Sequence, residues 1–220
     1  MTLQKALSII TNFIFPDTCI RCGRIGTLLC SRCGTHLTFW LPTRSGKHQL
    51  SLYPSLKTLI SATEYIDVAT SVVKSVKFQA YWRYCELMAQ LIDLHCRAQL
   101  HHHHIDVFVP VPIHPKRKSE RGFNQADKLA QAVGDRLQIY VDTTSLVRKH
   151  YRQKQSLQDR QGRQSLHHDF KLHRKDILHN KNVCLVDDVF TTGATLSACA
   201  RAIATADPKK ILALTFARAR

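Results

Sequence analysis

Two adjacent carboxylates, followed at once by threonines and a glycine, stand in the stretch VCLVDDVFTTGAT at residues 183–195. The residues before them are continuously apolar, which is typical of a central strand in a parallel sheet. Asp187 and Asp188 are therefore expected at the carboxyl end of that strand, where such sheets bind their ligands. The small residues that follow allow backbone N–H groups to surround a phosphate at the start of a helix.

This pattern predicts a site that combines acceptors for hydroxyl groups with donors for a phosphate. Two carboxylates can accept hydrogen bonds from a vicinal diol, while the following loop holds a phosphate one ribose away. The residues expected in that loop are Thr191, Thr192, Gly193, Ala194 and Thr195. Two other interpretations stay open, namely a structural strand end with a capped helix and a two-acid Mg2+ site of another doubly wound protein.

Four cysteines in the first part of the chain follow the spacing C-x2-C-x7-C-x2-C and comprise Cys19, Cys22, Cys30 and Cys33. Each C-x2-C pair can present two thiolates on one side of a turn, which suits tetrahedral Zn2+. Disulfides are the competing interpretation, and a catalytic metal is a third, although four thiolates leave no open coordination position. We predict a structural zinc site.

The composition is that of a globular chain with a strong excess of positive charge. The 220 residues include 32 Lys and Arg against 16 Asp and Glu, which gives a formal net charge of +16. This charge favours a polyanionic partner, such as nucleic acid, a membrane surface or a phosphorylated ligand, over a merely solvated basic surface. Because the sequence has no apolar run of about 18 residues and no cleavage site after its first apolar stretch, we expect a cytoplasmic protein without a membrane span.

Alternating strands and helices must position these groups. A short amphipathic helix is expected in the first 14 residues, 34–62 show no regular element, and a helical stripe covers the second half of 64–100. Strands are predicted at 105–113, 138–142, 182–189 and 210–218, with helices at 124–137 and 194–206 and a polar, basic stretch up to about residue 180. Strands separated by helices indicate an α/β fold with a mainly parallel sheet flanked by helices.

The strand, the two acids and the loop resemble the signature of the type I phosphoribosyltransferases. Together with the cysteine pairs and a second stretch, VPVPIHPKRKSERGFNQADKLA at 109–130, they resemble the ComF family of competence-related proteins. The short motifs FP at 15–16, VKF at 76–78 and QSL at 155–157 extend the resemblance over nearly the whole chain. It implies an N-terminal helix and zinc module (1–40), a hood and helical segment (41–100), and a phosphoribosyltransferase-like domain (101–220).

For the site, the resemblance implies that Asp187 and Asp188 meet the ribose hydroxyls of phosphoribosyl pyrophosphate (PRPP). The loop 191–195 would hold the 5′-phosphate, and Mg2+ would bridge the hydroxyls and the pyrophosphate. The basic loop after the first strand suits the pyrophosphate end of the ligand through Lys116, Arg117 and Arg121. The alternative for that loop is purely structural, since its prolines stiffen it regardless of any ligand.

A basic arm, residues 144–175, holds nine Lys and Arg against two Asp. In type I phosphoribosyltransferases the connection at this place closes over the active site, whereas in a DNA-handling protein it would follow a phosphate backbone. The candidates for contact with nucleic acid are Arg148, Lys149, Tyr151, Arg152 and Lys154. A solvated loop without any ligand is the third interpretation.

Two functions follow from the resemblance. ComF proteins are associated with the uptake of single-stranded DNA during natural transformation, which implies that this chain handles single-stranded DNA and binds PRPP with Mg2+. A helicase-like partner and components of a DNA-uptake channel are implied as well. The alternative is an active phosphoribosyltransferase that transfers phosphoribose from PRPP to an acceptor and releases pyrophosphate. The large positive charge favours the DNA-handling protein, because one small phosphorylated substrate requires less of it.

Overall fold

The computed structural model describes residues 16–41, 54–78, 81–149 and 169–219. Its strands are β1 (Thr58–Glu64), β2 (Val107–Pro110), β3 (Tyr140–Val141), β4 (Leu146–Arg148), β5 (Phe170–Leu172), β6 (Asn182–Phe190) and β7 (Lys210–Arg218). Its helices are α1 (Ser31–Gly34), α2 (Asp67–Phe78), α3 (Tyr84–His102), α4 (Pro115–Arg121), α5 (Gln125–Leu137) and α6 (Ala194–Ala204). None of these helices is long and apolar enough to cross a membrane. The helix expected in the first 14 residues lies outside the described residues.

Five strands form a parallel sheet in the order β1-β7-β6-β2-β3. Strand β6 lies in the middle of this sheet, between β7 and β2, which explains why its first half is continuously apolar. Because all five strands run in the same direction, their carboxyl ends meet at one edge, which we call the site edge. The predicted α/β fold with a mainly parallel sheet is confirmed.

Apolar side chains cover both faces of the sheet. On one face, Cys184 and Val186 of β6 pack with helices α2, α3 and α5. On the other face, Val183 and Leu185 pack with α6 and with β4 and β5, which form a separate antiparallel pair. The alternation of side chains along β6 therefore decides which face each of the following residues can reach.

Two predictions about regular structure need correction. Residues 34–62 were expected to lack a regular element, yet β1 begins at Thr58 and pairs with β7 as an edge strand of the main sheet. The polar, basic stretch after residue 142 contains β4 and β5, for which no strand was expected. Both errors concern strands whose burial comes from distant parts of the chain and leaves little periodicity in the local sequence.

The cysteine-containing segment packs directly on the helical layer. The carboxylate of Asp17 lies 3.0 Å from Arg83 and accepts a hydrogen bond from Tyr81 at 3.1 Å. Phe39 forms an antiparallel bridge with Thr63 of β1, and its ring stacks on His95 of α3 at 4.7 Å between centroids. These contacts attach the segment to the edge of the main sheet.

Candidate ligand site and cysteine cluster

The two acidic residues of β6 lie in different surroundings. Asp187 is half-buried and lines a small cavity together with the loop that follows β6. The Asp188 side chain is only 5% exposed and lies on the side of α2, where its Oδ2 is 2.9 Å from Lys77 Nζ. Asp188 is not among the residues that line the cavity of Asp187. The alternation along the strand explains this separation, which the sequence pattern of two adjacent acids did not reveal.

The loop after β6 makes a tight turn into helix α6. Gly193 is the N-cap of α6 with φ 73°, a left-handed conformation that residues with a side chain rarely adopt. The hydroxyl of Thr192 accepts a hydrogen bond from the N–H of Ala194 at 3.5 Å. The first N–H groups of a helix have no intrahelical acceptor, and the helix dipole favours an anion beside them.

The structure brings Asp187 together with every residue predicted for the phosphate loop. The loop residues that line the cavity are Thr191, Thr192, Gly193, Ala194 and Thr195. The cavity measures about 40 Å3. A cavity of this size could receive only one end group of a sugar phosphate, and the rest of such a ligand would have to lie outside it.

Burial raises the pKa of the Asp187 carboxyl to about 8, and the negative charge of Asp188 adds to this shift while Lys77 opposes it. Asp187 consequently holds a proton near neutral pH when no ligand is bound. A cation or a set of hydrogen-bond donors in the cavity would favour the ionised form and release that proton. The protonation state of Asp187 therefore depends on whether a ligand occupies the cavity.

Lys77 contacts the candidate site, although the sequence motifs predicted no role for it. It belongs to the VKF motif, which carried part of the family resemblance but no role. Its side chain is 25% exposed and reaches from α2 to the acid on the central strand. The signal in the sequence was the presence of this lysine in the VKF motif of the family resemblance.

The predicted pyrophosphate loop is a helix, which corrects the expectation of a proline-stiffened loop. Pro115 starts α4, the Nδ1 of His114 accepts from the N–H of Lys116 at 3.2 Å, and Gly122 ends the helix with φ 80°. A proline at the first helical position and a left-handed glycine after the last one favour this short helix. Asn124 caps the next helix by accepting from the N–H of Ala126 at 3.1 Å.

The basic residues of α4 stand at the site edge without lining the cavity of Asp187. Helix α4 follows β2, which pairs with β6, so both elements leave the sheet at the same edge. Arg121 donates to Gln125 Oε1 at 3.1 Å. Neither Lys116, Arg117 nor Arg121 is among the cavity's lining residues. Contact of these three with a pyrophosphate stays a prediction.

The predicted nucleic-acid residues fall partly outside the described chain. Arg148 lies 3.4 Å from the buried carboxylate of Asp169 and 5.3 Å from the ring centroid of Phe170. The Arg148 guanidinium therefore makes its contacts within the β4–β5 pair. Lys149, in contrast, is exposed. The remaining candidates, Tyr151, Arg152 and Lys154, lie outside the described residues.

The four cysteines form one cluster. Their sulfur atoms all lie within 4.8 Å of one another, and the Sγ atoms of Cys19 and Cys22 are 3.8 Å and 3.7 Å from that of Cys30. A tetrahedral ion with metal–sulfur bonds of about 2.3 Å requires sulfurs about 3.8 Å apart, whereas a disulfide requires about 2.05 Å. The arrangement fits a tetrahedral metal.

The ionisation of these thiols depends on the same arrangement. Burial raises the pKa of Cys19, but backbone N–H groups, first that of Cys30, outweigh it and lower that pKa to about 6. Burial and the neighbouring sulfurs raise the pKa of Cys33 to about 12. A divalent cation at the centre would stabilise all four thiolates together.

Comparison with known proteins gives three findings. The model of the phosphoribosyl transferase domain family matches residues 99–220, more than half of the chain. Competence protein F of Haemophilus influenzae is 29% identical over 196 residues, which cover 86% of this chain and 84% of that protein. DNA utilization protein YhgH of Escherichia coli strain K12 is 27% identical over 190 residues, which cover 84% of this chain and 82% of that protein.

Solved structures align with the chain at low identity. Glutamine PRPP amidotransferase from B. subtilis, complexed with ADP and GMP, aligns with 15% identity and a TM-score of 0.37. The alignment covers 68% of this chain and 27% of that one, so this chain spans about a quarter of that protein's length.

Proposed function

Since this chain belongs to the phosphoribosyl transferase domain family and, within it, to the ComF family of competence-related proteins, we propose that its cavity binds PRPP with Mg2+. One observation carries the proposal: Asp187 and the loop 191–195 line the same cavity at the start of α6. The amides and hydroxyls of the loop bind the 5′-phosphate. The carboxylate of Asp187 accepts hydrogen bonds from the ribose hydroxyls.

Asp187 and the ribose hydroxyls would hold Mg2+, because this ion prefers oxygen ligands and keeps several of its waters. When bound, the ion neutralises negative charge between the hydroxyls and the pyrophosphate. Asp188 contributes by holding Lys77 near the site edge. A ligand that is to reach Asp188 itself has to compete with that lysine.

Calorimetric titration of PRPP with Mg2+ into the wild type and into Asp187→Asn tests this proposal, with ribose 5-phosphate as the second ligand. We expect the substitution to weaken PRPP binding by at least tenfold, a loss of about 1.4 kcal/mol. Asp176→Asn changes an exposed acid after β5 and is the matched control. Equal binding by the wild type and Asp187→Asn would contradict the proposed role of Asp187.

We infer further that the protein handles single-stranded DNA. The supporting observations are the formal net charge of +16 and the relatives, which are named competence protein F and DNA utilization protein. Fluorescence anisotropy of a labelled oligothymidine at increasing salt tests this role. We expect an affinity that falls steeply with salt, because each neutralised phosphate of a single strand contributes roughly −0.7 to the log–log slope.

We assign Zn2+ to the four-cysteine cluster because its sulfur spacing suits a tetrahedral site that is closed by protein ligands. Four thiolates around one ion leave no position for a substrate, so this role is structural. The alternative function, transfer of phosphoribose to an acceptor, predicts pyrophosphate release when PRPP, Mg2+ and a suitable base are present together. A pyrophosphate assay across a panel of bases therefore separates a transferase from a PRPP-binding protein.

A further inference from the structure

Two aromatic rings stand exposed where α2 passes into α3. Phe78, the last residue of α2, is 65% exposed, and Trp82, just before α3, is 52% exposed. Large rings are costly to leave in water and most often mark a binding surface when they occur together. Phe78 directly follows Lys77, whose Nζ reaches Asp188 near the carboxyl end of β6, and therefore lies beside the site edge.

Each ring has a cation from a neighbouring helix beside it. The guanidinium carbon of Arg121 in α4 lies 6.0 Å from the ring centroid of Phe78. The Nζ of Lys128 in α5 lies 5.8 Å from the ring centroid of Trp82. Two separate helices thus direct positive charge to two exposed rings, within the range of cation–π contacts.

The helix that provides Arg121 is itself basic. Helix α4 has no buried residue and carries Lys116, Arg117, Lys118 and Arg121 against one acid, Glu120. At the start of α5, Asp127 stands between Lys118, at 3.8 Å, and Asn124, at 2.7 Å. The surface around Phe78 is consequently positive, and Trp82 has the ammonium group of Lys128 beside it.

Exposed rings surrounded by cations match the chemistry of single-stranded nucleic acid. Bases stack on aromatic rings whatever their sequence, and the phosphates between them interact with Lys and Arg. Duplex DNA offers the charge but keeps its base faces inside the stack. An apolar protein partner would leave the cations without counter-charges in the interface.

We propose that Phe78 and Trp82, with Arg121 and Lys128, form a stacking platform for single-stranded DNA. This inference rests on the proposed DNA-handling function and adds a path for the strand that does not depend on the basic arm. The path runs over the rings of Phe78 and Trp82, and Phe78 is next to Lys77, which pairs with Asp188. DNA on the platform would therefore border the proposed PRPP cavity.

Anisotropy titrations with a labelled oligothymidine and with an abasic strand of the same length test the platform. Phe78→Ala and Trp82→Ala should each weaken oligothymidine binding roughly 5- to 160-fold, because stacking of one base contributes about 1–3 kcal/mol. Binding of the abasic strand should stay unchanged, since its phosphates remain. Trp82→Phe should retain most of the affinity. Leu94→Ala, at an exposed apolar residue of α3, is the matched control and should change neither affinity.

A second readout uses the fluorescence of the unchanged Trp82 side chain. The sequence contains two tryptophans, so Trp40→Phe leaves Trp82 as the sole indole. Oligothymidine should quench its fluorescence, and the abasic strand should not. This measurement keeps the platform testable if an alanine variant fails to fold, which circular dichroism of each variant would reveal.

Three results would overturn the platform. They are wild-type affinity for oligothymidine in both alanine variants, an equal loss for the abasic strand, and unchanged Trp82 fluorescence on DNA binding. In these cases the wild type still binds DNA, so the proposed DNA-handling function survives without this surface. If the wild type binds neither strand, the DNA-handling function and the platform fail together, and PRPP binding remains a separate question.

Discussion

Lys77 Nζ lies 2.9 Å from Asp188 Oδ2, and this ion pair links helix α2 to the carboxyl end of the central strand. The acid is almost completely buried, whereas the lysine keeps a quarter of its side chain in solvent. Next to it in the chain, Asp187 lines the cavity of the phosphate loop. Asp187 thus faces the loop, whereas Asp188 anchors helix α2 at the site edge.

Replacing Lys77 by Ala leaves the buried carboxylate of Asp188 without its cation. We expect a loss of about 3 kcal/mol in the free energy of unfolding, the low end for a broken buried pair because the lysine is partly exposed. Urea unfolding measures this loss. Lys74→Ala, at an exposed lysine of the same helix, should change the stability by less than about 0.5 kcal/mol.

A double-mutant cycle with Asp188→Asn isolates the ion pair from the rest of the lysine side chain. In the Asp188→Asn background, Lys77→Ala should cost clearly less than in the wild type. If the cost is the same in both backgrounds, the pair does not stabilise the fold and Lys77 acts only through packing.

The stability of the unliganded protein should depend on pH through Asp187. Its pKa is about 8 in the folded state and near the ordinary value of 3.8 in the unfolded state. Between these values the folded protein binds a proton that the unfolded chain has released, so the free energy of unfolding falls as the pH rises. The fall is complete above about pH 8. Urea titrations across this window should show a flatter profile for Asp187→Asn, and a profile as steep as that of the wild type would show that other groups cause it.

Cys22→Ser removes the one exposed ligand of the cysteine cluster. We expect the purified variant to lose its stoichiometric zinc and residues 16–41 to lose protection from hydrogen exchange, because metal binding supplies folding free energy to such small modules. Elemental analysis and exchange mass spectrometry measure both effects. Cys96→Ala, at a buried cysteine of α3, should retain zinc, and a full zinc content in Cys22→Ser would refute the four-cysteine site.

Lys149 is the exposed member of the predicted nucleic-acid residues within the described chain. Lys149→Glu should make the salt dependence of oligothymidine binding shallower by about 0.7 for each phosphate contact that is lost. Lys210→Glu reverses an exposed charge at the amino end of β7, away from the site edge, and serves as the control. An equal change of slope in both variants would mean that overall charge, and not a local contact, determines binding.

The site could be predicted from the sequence where one continuous segment builds it. The strand, the loop and the helix of residues 182–204 follow from a continuous apolar run, a glycine and a helical pattern, and the structure has them at nearly the predicted positions. The contact between this segment and a distant helix left no comparable signal in the sequence. Lys77 reaches Asp188 across more than a hundred residues, and only the fold brings them together.

Strand β1 was missed for a related reason. Its buried polar residues, Ser61 and Thr63, interrupt the apolar pattern that predicts a strand. Ser61 exchanges a 2.8 Å hydrogen bond with Thr215, and Thr63 donates to the carbonyl of Phe216 at 2.9 Å, so that β7 satisfies both. Helix α4 was missed because none of its seven residues is buried, which leaves no apolar stripe to recognise.

The most direct test of the proposed cavity is amide NMR of the labelled protein during titration with PRPP and Mg2+. The account predicts that the resonances of residues 191–195 shift with PRPP and also with ribose 5-phosphate, since both carry the 5′-phosphate. Resonances of α4 should shift only with PRPP, which has the pyrophosphate. If PRPP binds while the loop resonances stay unchanged, or if a folded, zinc-loaded protein binds no PRPP at all, the assignment of this cavity is wrong.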